Sequence, residues 1–226
     1  MTMPVSSFRE ALDRLIEDGS LLQHSFYQRW QRGELSRQEL RGYALEYYRF
    51  EREFPRFLSA VHAAIEEPKV RRPIAENLMD EELGEKPHVE LWLDFAEGLG
   101  AAREITAAHS PSPESDALVA TYRRLSTQSP VAGLAALYAY EKQQPSIARE
   151  KIAGLKTNYN VRDAKTLRFF EVHEQSDVWH AESEAAALET LCGDSVKSRQ
   201  EAVGAAREAI AALHGFLSGV ERRYAA

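Results

Sequence analysis

The sequence predicts an all-α fold built as one domain over residues 1–226. Apolar residues recur at intervals of three and four through most of the chain, the alternation of β-branched residues that marks strands is essentially absent, and the breaks between periodic segments fall at glycine and proline. Together these imply a bundle of seven to nine helices. With 226 residues, 44% hydrophobic and 28% charged, the chain has ample material for a core of its own.

Taken in order, Phe8, Leu12, Leu15, Ile16 and Leu22 recur at helical intervals. Ser36-Arg37-Gln38-Glu39 has the serine and glutamate spacing of a capping box. It opens a long apolar and aromatic segment through Tyr43, Tyr47, Phe50, Phe54, Phe57, Leu58 and Val61, in which Pro55 predicts a kink. Helical patterns follow around residues 74–83, 88–99, 115–125, 131–141 and 145–155, with a loop-like tract at 108–115 that contains Pro111 and Pro113. Two long helices, about 163–191 and 195–224, close the chain on either side of Gly193-Asp194. No repeat of 20 to 50 residues is visible.

The formal net charge of −7 argues against nucleic acid and against an anionic membrane surface, both of which need a basic face. No uncharged apolar stretch reaches the ~18 residues of a membrane span, and residues 1–9 lack a basic segment followed by an apolar one. A cytoplasmic protein is expected. The single cysteine, Cys192, excludes an intramolecular disulfide and a zinc site built of thiolates. Any metal must be held by nitrogen and oxygen.

Such ligands are present. His173, Asp177 and His180 lie four and three residues apart, within a sector of about 60° on a helix, so two imidazoles and a carboxylate share one face. Glu141 ends the uncharged run 131–140, and a carboxylate in so apolar a setting needs a cation or a hydrogen-bond network. The segment 77–88 holds Asp80, Glu81, Glu82, Glu85 and His88. Gly84 and Pro87 predict a helix break there, with Glu81 ending one helix and His88 beginning the next. Spacing alone does not choose Glu81 over its acidic neighbours.

The phrases 54–62 and 77–92, with Glu141 and the His173/Asp177/His180 motif, resemble the haem-oxygenase-like superfamily, which includes oxidases of PQQ synthesis and thiaminase-type proteins. The likeness is greatest to its di-metal oxidases typified by the chlamydial proteins associating with death domains, which are 4-aminobenzoate synthases of folate biosynthesis. That resemblance implies a haem-oxygenase-like bundle and a ligand set of Glu81, His88, Glu141, His173, Asp177 and His180. Three imidazoles with three carboxylates are too many for one catalytic zinc, and suit two ions, Fe/Fe or Mn/Fe. Dioxygen and an external reductant are the implied co-substrates.

The resemblance also implies that the protein supplies its own substrate in a single turnover. A first-helix tyrosine, Tyr27 here, gives the aromatic ring, and Lys151 gives the amino group. Tyrosine already carries a ring with a one-carbon branch para to a hydroxyl. Cleaving Cα–Cβ, oxidising Cβ to carboxylate and replacing the phenolic oxygen by nitrogen yields 4-aminobenzoate. Without the resemblance, Tyr27 and Lys151 are ordinary packing and surface residues. Tyr140, next to Glu141, and Tyr43, on the second helix where it could face Tyr27, are candidates to relay an electron or a proton.

Three other readings compete with this one: a di-metal oxidase of an external small molecule, a cofactorless oxidase of the PQQ-synthesis type, and a helical interaction module. A haem oxygenase would need a proximal ligand such as His24, which leaves the six-residue set unexplained. Lone Cys192 lies outside the motif segments, where a thiaminase-type nucleophile would not serve. No dinucleotide or P-loop motif occurs. A homodimer is compatible with the sequence, and the reductant partner is unspecified.

Overall fold

A computed structural model describes residues 5–225. These form α1 (Val5–Asp18), a 3-10 turn (Leu21–Gln23), α2 (Ser25–Arg32), α3 (Arg37–Ala64), α4 (Pro68–Leu83), α5 (His88–Gly98), α6 (Arg103–Ala107), α7 (Pro113–Gln128), α8 (Pro130–Glu141), α9 (Gln144–Thr157), α10 (Ala164–Cys192) and α11 (Val196–Tyr224), with no strand among the described residues. The all-α expectation holds. The helices outnumber the expected seven to nine because α2 and α6 are too short to show a period of their own.

The apolar run from Phe8 to Leu22 is not one helix. Phe8, Leu12 and Ile16 bury one stripe of α1, which stops at Asp18. At Gly19 a Cβ would lie 2.9 Å from Ile210 Cγ2, so the chain turns there against α11. Tyr27 therefore sits on α2, not on the first helix, and Tyr43 on α3, not on the second. His24 caps α2 by accepting from Phe26 N, and its Nε2 pairs with Ser218 Oγ at 2.9 Å. Its ring is satisfied by protein partners.

The capping box forms at the start of α3: Glu39 N donates to Ser36 Oγ at 3.2 Å and Ser36 N donates to Glu39 Oε2 at 2.8 Å. Tyr43, Tyr47, Phe50, Phe54, Phe57, Leu58 and Val61 are buried along one side, and α3 continues through Pro55 to Ala64. At the centre is α8, capped by Ser129 and buried from Ala132 to Glu141. It packs against both α10 and α11 and also touches α3, α7 and α9. Its small residues allow this: at Gly133 a Cβ would come within 2.5 Å of Val61 Cγ2. The turn after Leu83 has Gly84 as C-cap of α4 and Pro87 as N-cap of α5, the break that separates Glu81 from His88. No helix among the described residues is long and apolar enough to cross a membrane.

Candidate metal centre and tyrosine–lysine cluster

Four elements bring the six sequence-predicted ligands to one buried region: the end of α4 (Glu81), the first turn of α5 (His88), the end of α8 (Glu141) and the middle of α10 (His173, Asp177, His180). All six side chains are buried. Glu81, His88 and His173 form the tightest group, each offering a donor atom within 4.8 Å of the others. Glu81 Oε1 lies 3.0 Å from His88 Nδ1 and 3.8 Å from His173 Nε2. The His173 Nδ1–H donates to Phe169 O at 2.7 Å, which fixes the ring and leaves Nε2 facing Glu81. Phe169 stacks on the same imidazole at 4.1 Å.

The other three form a looser group around His180. Its Nε2 pairs with Asp80 Oδ2 at 3.0 Å, which leaves Nδ1 for Asp177 Oδ1 at 3.5 Å and Glu141 Oε2 at 4.0 Å. Asn77 Nδ2 donates to Glu141 Oε1 at 2.7 Å. One oxygen of Glu141 is thus held and the other left free. Asp80, one of the acids that spacing could not separate from Glu81, orients His180.

The unpartnered atoms test whether a cation fits. Buried His88 Nδ1, His180 Nδ1, Glu141 Oε2 and Asp177 Oδ2 have no hydrogen-bond partner, a concentration of polar atoms that a folded protein rarely leaves unused. The electrostatics agree. Burial would lower both imidazoles, yet Asp177 and Glu81 hold His173 up at about 10, and Asp177 with Glu141 holds His180 up at about 9. Burial would raise Glu81, but the two histidines beside it keep it well below the usual carboxylate range. Burial and the Asp177 charge push Glu141 up to about 8, with His180 opposing. The site attracts positive charge, and its nitrogen and oxygen donors suit iron or manganese. A cleft of about 850 Å³ lined by Asp80, Lys86, His88, Arg168 and Gln175 reaches this group at His88.

Next to it lies an aromatic chamber. Lys151 on α9 is 2% exposed, and its Nζ donates to Tyr43 Oη at 2.5 Å. The Nζ lies 4.8 Å from the Tyr43 ring centre, 4.9 Å from Phe170 and 5.6 Å from Tyr27. Burial lowers the Lys151 ammonium to about 7, with Glu51 opposing. Tyr27 and Tyr43 are also buried, and burial raises both phenols, so they stay protonated. Burial thus sets an amine that can lose its proton near pH 7 beside phenols that keep theirs.

Tyr140 points into a different line of polar groups. Tyr47 Oη donates to Tyr140 Oη at 2.9 Å, and Tyr140 Oη donates to Glu51 Oε1 at 3.3 Å. Burial pushes Glu51 up to about 8, and it senses the charges of His173, Glu81 and Lys151. Glu51 thus stands electrostatically between the ligand cluster and the chamber. Sequence reasoning missed it, along with Tyr47 and Glu184. The signal for Glu184 was present, because it continues the stripe of α10 four residues beyond His180.

Residues 41–214 match the family described as iron-containing redox enzyme. A protein of Chlamydia pneumoniae named 4-aminobenzoate synthase is 43% identical over 216 residues, covering 95% of each chain. One of the same name from Nitrosomonas europaea is 38% identical over 234 residues, covering 99% of this chain and 95% of its own. Among solved structures, a domain from Shewanella denitrificans described as having a heme oxygenase-like fold superposes with a TM-score of 0.76 at 17% identity, covering 98% of this chain and 94% of that one. With its family match over most of its length and its helices in the same arrangement, the chain belongs to the iron-containing redox enzymes of haem-oxygenase-like fold.

Proposed function

We propose that the chain, acting as one domain over residues 1–226, is a 4-aminobenzoate synthase that holds two transition-metal ions and consumes its own Tyr27, with Lys151 as amino donor. Glu81, His88 and His173 would hold one ion, and Glu141, Asp177 and His180 the other. When bound, an Fe/Fe or Mn/Fe pair supplies dioxygen activation with electrons from an external reductant. The observation that carries the reading is the Lys151 amine, buried among aromatic rings, in contact with Tyr43 and 5.6 Å from the Tyr27 ring. The relatives named 4-aminobenzoate synthase support the product.

Each residue has a task that its surroundings fit. Desolvation makes the neutral form of Lys151 accessible near pH 7, the form that can act as a nucleophile. The hydrogen bond to Tyr43 holds that amine in place. Burial of Tyr27 excludes bulk water, which would otherwise compete for an oxidised ring. Tyr47, Tyr140 and Glu51 form a hydrogen-bonded line along which a proton can move beside the ligand cluster.

The test is to load the metal-free protein anaerobically with iron and manganese, then add reductant and oxygen with no organic substrate. 4-Aminobenzoate is expected at no more than about one equivalent per chain, and none without oxygen. Full yield under strict anaerobiosis with no other oxidant overturns the oxidative reading. The cleft at His88 favours a second reading, in which an external small molecule enters and is oxidised. That reading predicts no product in this experiment.

A further inference from the structure

Helix α10 carries one more acid in register with His173, Asp177 and His180. Glu184 follows His180 by four residues and Asp177 by seven, so it lies on the same face one turn further along. It is 1% exposed, and neither of its carboxylate oxygens has a hydrogen-bond partner. The charges it meets are Glu141 and Asp177, both acidic. On the same face of α10, Asp177 Oδ2 and His180 Nδ1 are buried and unpartnered as well, as is Glu141 Oε2 on α8.

Burying a carboxylate without a partner is costly, and burying it against two others is more so unless a cation lies among them. The neighbouring donors are arranged for one. Asp80 takes the Nε2 side of His180 and Asn77 takes one oxygen of Glu141, so each presents its other donor inward. The hydroxyl of Tyr122, the further group that senses Glu184, is also unpartnered and does not satisfy the acid, whose one polar contact is the carboxyl group of Glu141.

We propose that Glu184 is a further metal ligand, joining Glu141, Asp177 and His180 at one of the two positions. The inference rests on the dinuclear reading above. It makes the two positions unlike: three carboxylates and one imidazole at one, a carboxylate and two imidazoles at the Glu81–His88–His173 group. Oxygen-rich sites suit manganese and imidazole-rich sites suit iron. The Glu184 position is therefore the manganese position.

The experiment is an anaerobic titration of metal-free protein with Mn(II), following free ion by electron paramagnetic resonance. Wild type should take up two ions per chain. Glu184→Gln should hold one as before and bind the other at least ~10-fold more weakly, and Glu184→Asp, which keeps the charge, should recover most of that loss. The metal-free Glu184→Gln protein should melt no lower than wild type, since a buried acid facing two other acids is replaced by a neutral amide of the same shape. If Glu184→Gln binds both ions with wild-type affinity, Glu184 is a neutral buried acid and the inference fails while the dinuclear reading stands. If wild type itself binds one ion at saturation, both fail. A metal-free Glu184→Gln protein that melts well below wild type also overturns it, because the carboxyl group then serves the fold rather than a metal.

Discussion

At residue scale, Lys151 and Tyr27 bear the central chemistry, and both depend on burial. The amine titrates at about 7 in the folded chain, against roughly 10.4 when unfolded. Below about pH 7 both states carry the proton and the folded protein bears the full cost of the buried charge. Between about 7 and 10.4 the unfolded chain alone holds it, so this contribution raises stability with pH across that window and adds nothing further above it. Lys151→Met should flatten the slope and stabilise the metal-free protein at pH 6 by up to about 3 kcal/mol. Urea unfolding of both proteins at pH 6, 8 and 9.5 checks this. Tyr27→Phe deletes one hydroxyl and leaves the packing nearly intact, so stability should change by less than about 1.5 kcal/mol. Metal uptake should be unaltered while most product is lost, read by metal analysis and product assay on the same sample.

At the scale of elements, α2 and α9 set the distance between ring and amine. At Gly154 a Cβ would come within 2.5 Å of Trp30 Nε1, so the two helices approach closely where Tyr27 and Lys151 face each other. Gly154→Ala should push them apart, cost roughly 1–3 kcal/mol by overpacking and reduce product, while uptake of both ions stays normal. Thermal melts with metal titration separate these effects. Much of the element pattern was legible in sequence. The Ser36 capping box, the Gly84–Pro87 break and the long α10 follow from local rules that the structure obeys. The run from Phe8 to Leu22 misled because an apolar period does not register Gly19 turning against Ile210, a contact 191 residues away in sequence. The stripe of α10 was visible through His180. Glu184 continues that stripe, but a glutamate on a helix is ordinarily solvated, and its burial is a property of the packing around it. The burial of Lys151 is likewise tertiary, so only the family resemblance singled it out.

At the scale of the molecule, the fold joins a ligand cluster to an aromatic chamber through α5 and α10, which contribute side chains to both. Trp92 on α5 packs at 4.8 Å from Phe169 and 4.9 Å from Tyr47, and Phe169 in turn stacks on His173. Two bound ions should brace the four elements that meet there. At a free concentration a hundredfold above its dissociation constant, each site adds about 2.7 kcal/mol. Metal loading should therefore raise the melting temperature, and Asp177→Ala, which disables one of the two positions, should remove about half of that gain. Calorimetry with and without chelator measures it.

The most direct measurement of the central claim is isotopic. The protein is produced with ring-labelled tyrosine and side-chain 15N-lysine, loaded with iron and manganese, and given reductant and oxygen alone. The account predicts 4-aminobenzoate carrying both labels, loss of mass from the peptide containing Tyr27, and a wild-type yield absent from Tyr27→Phe and Lys151→Arg. Product without the ring label, or a normal yield from Tyr27→Phe, would contradict it.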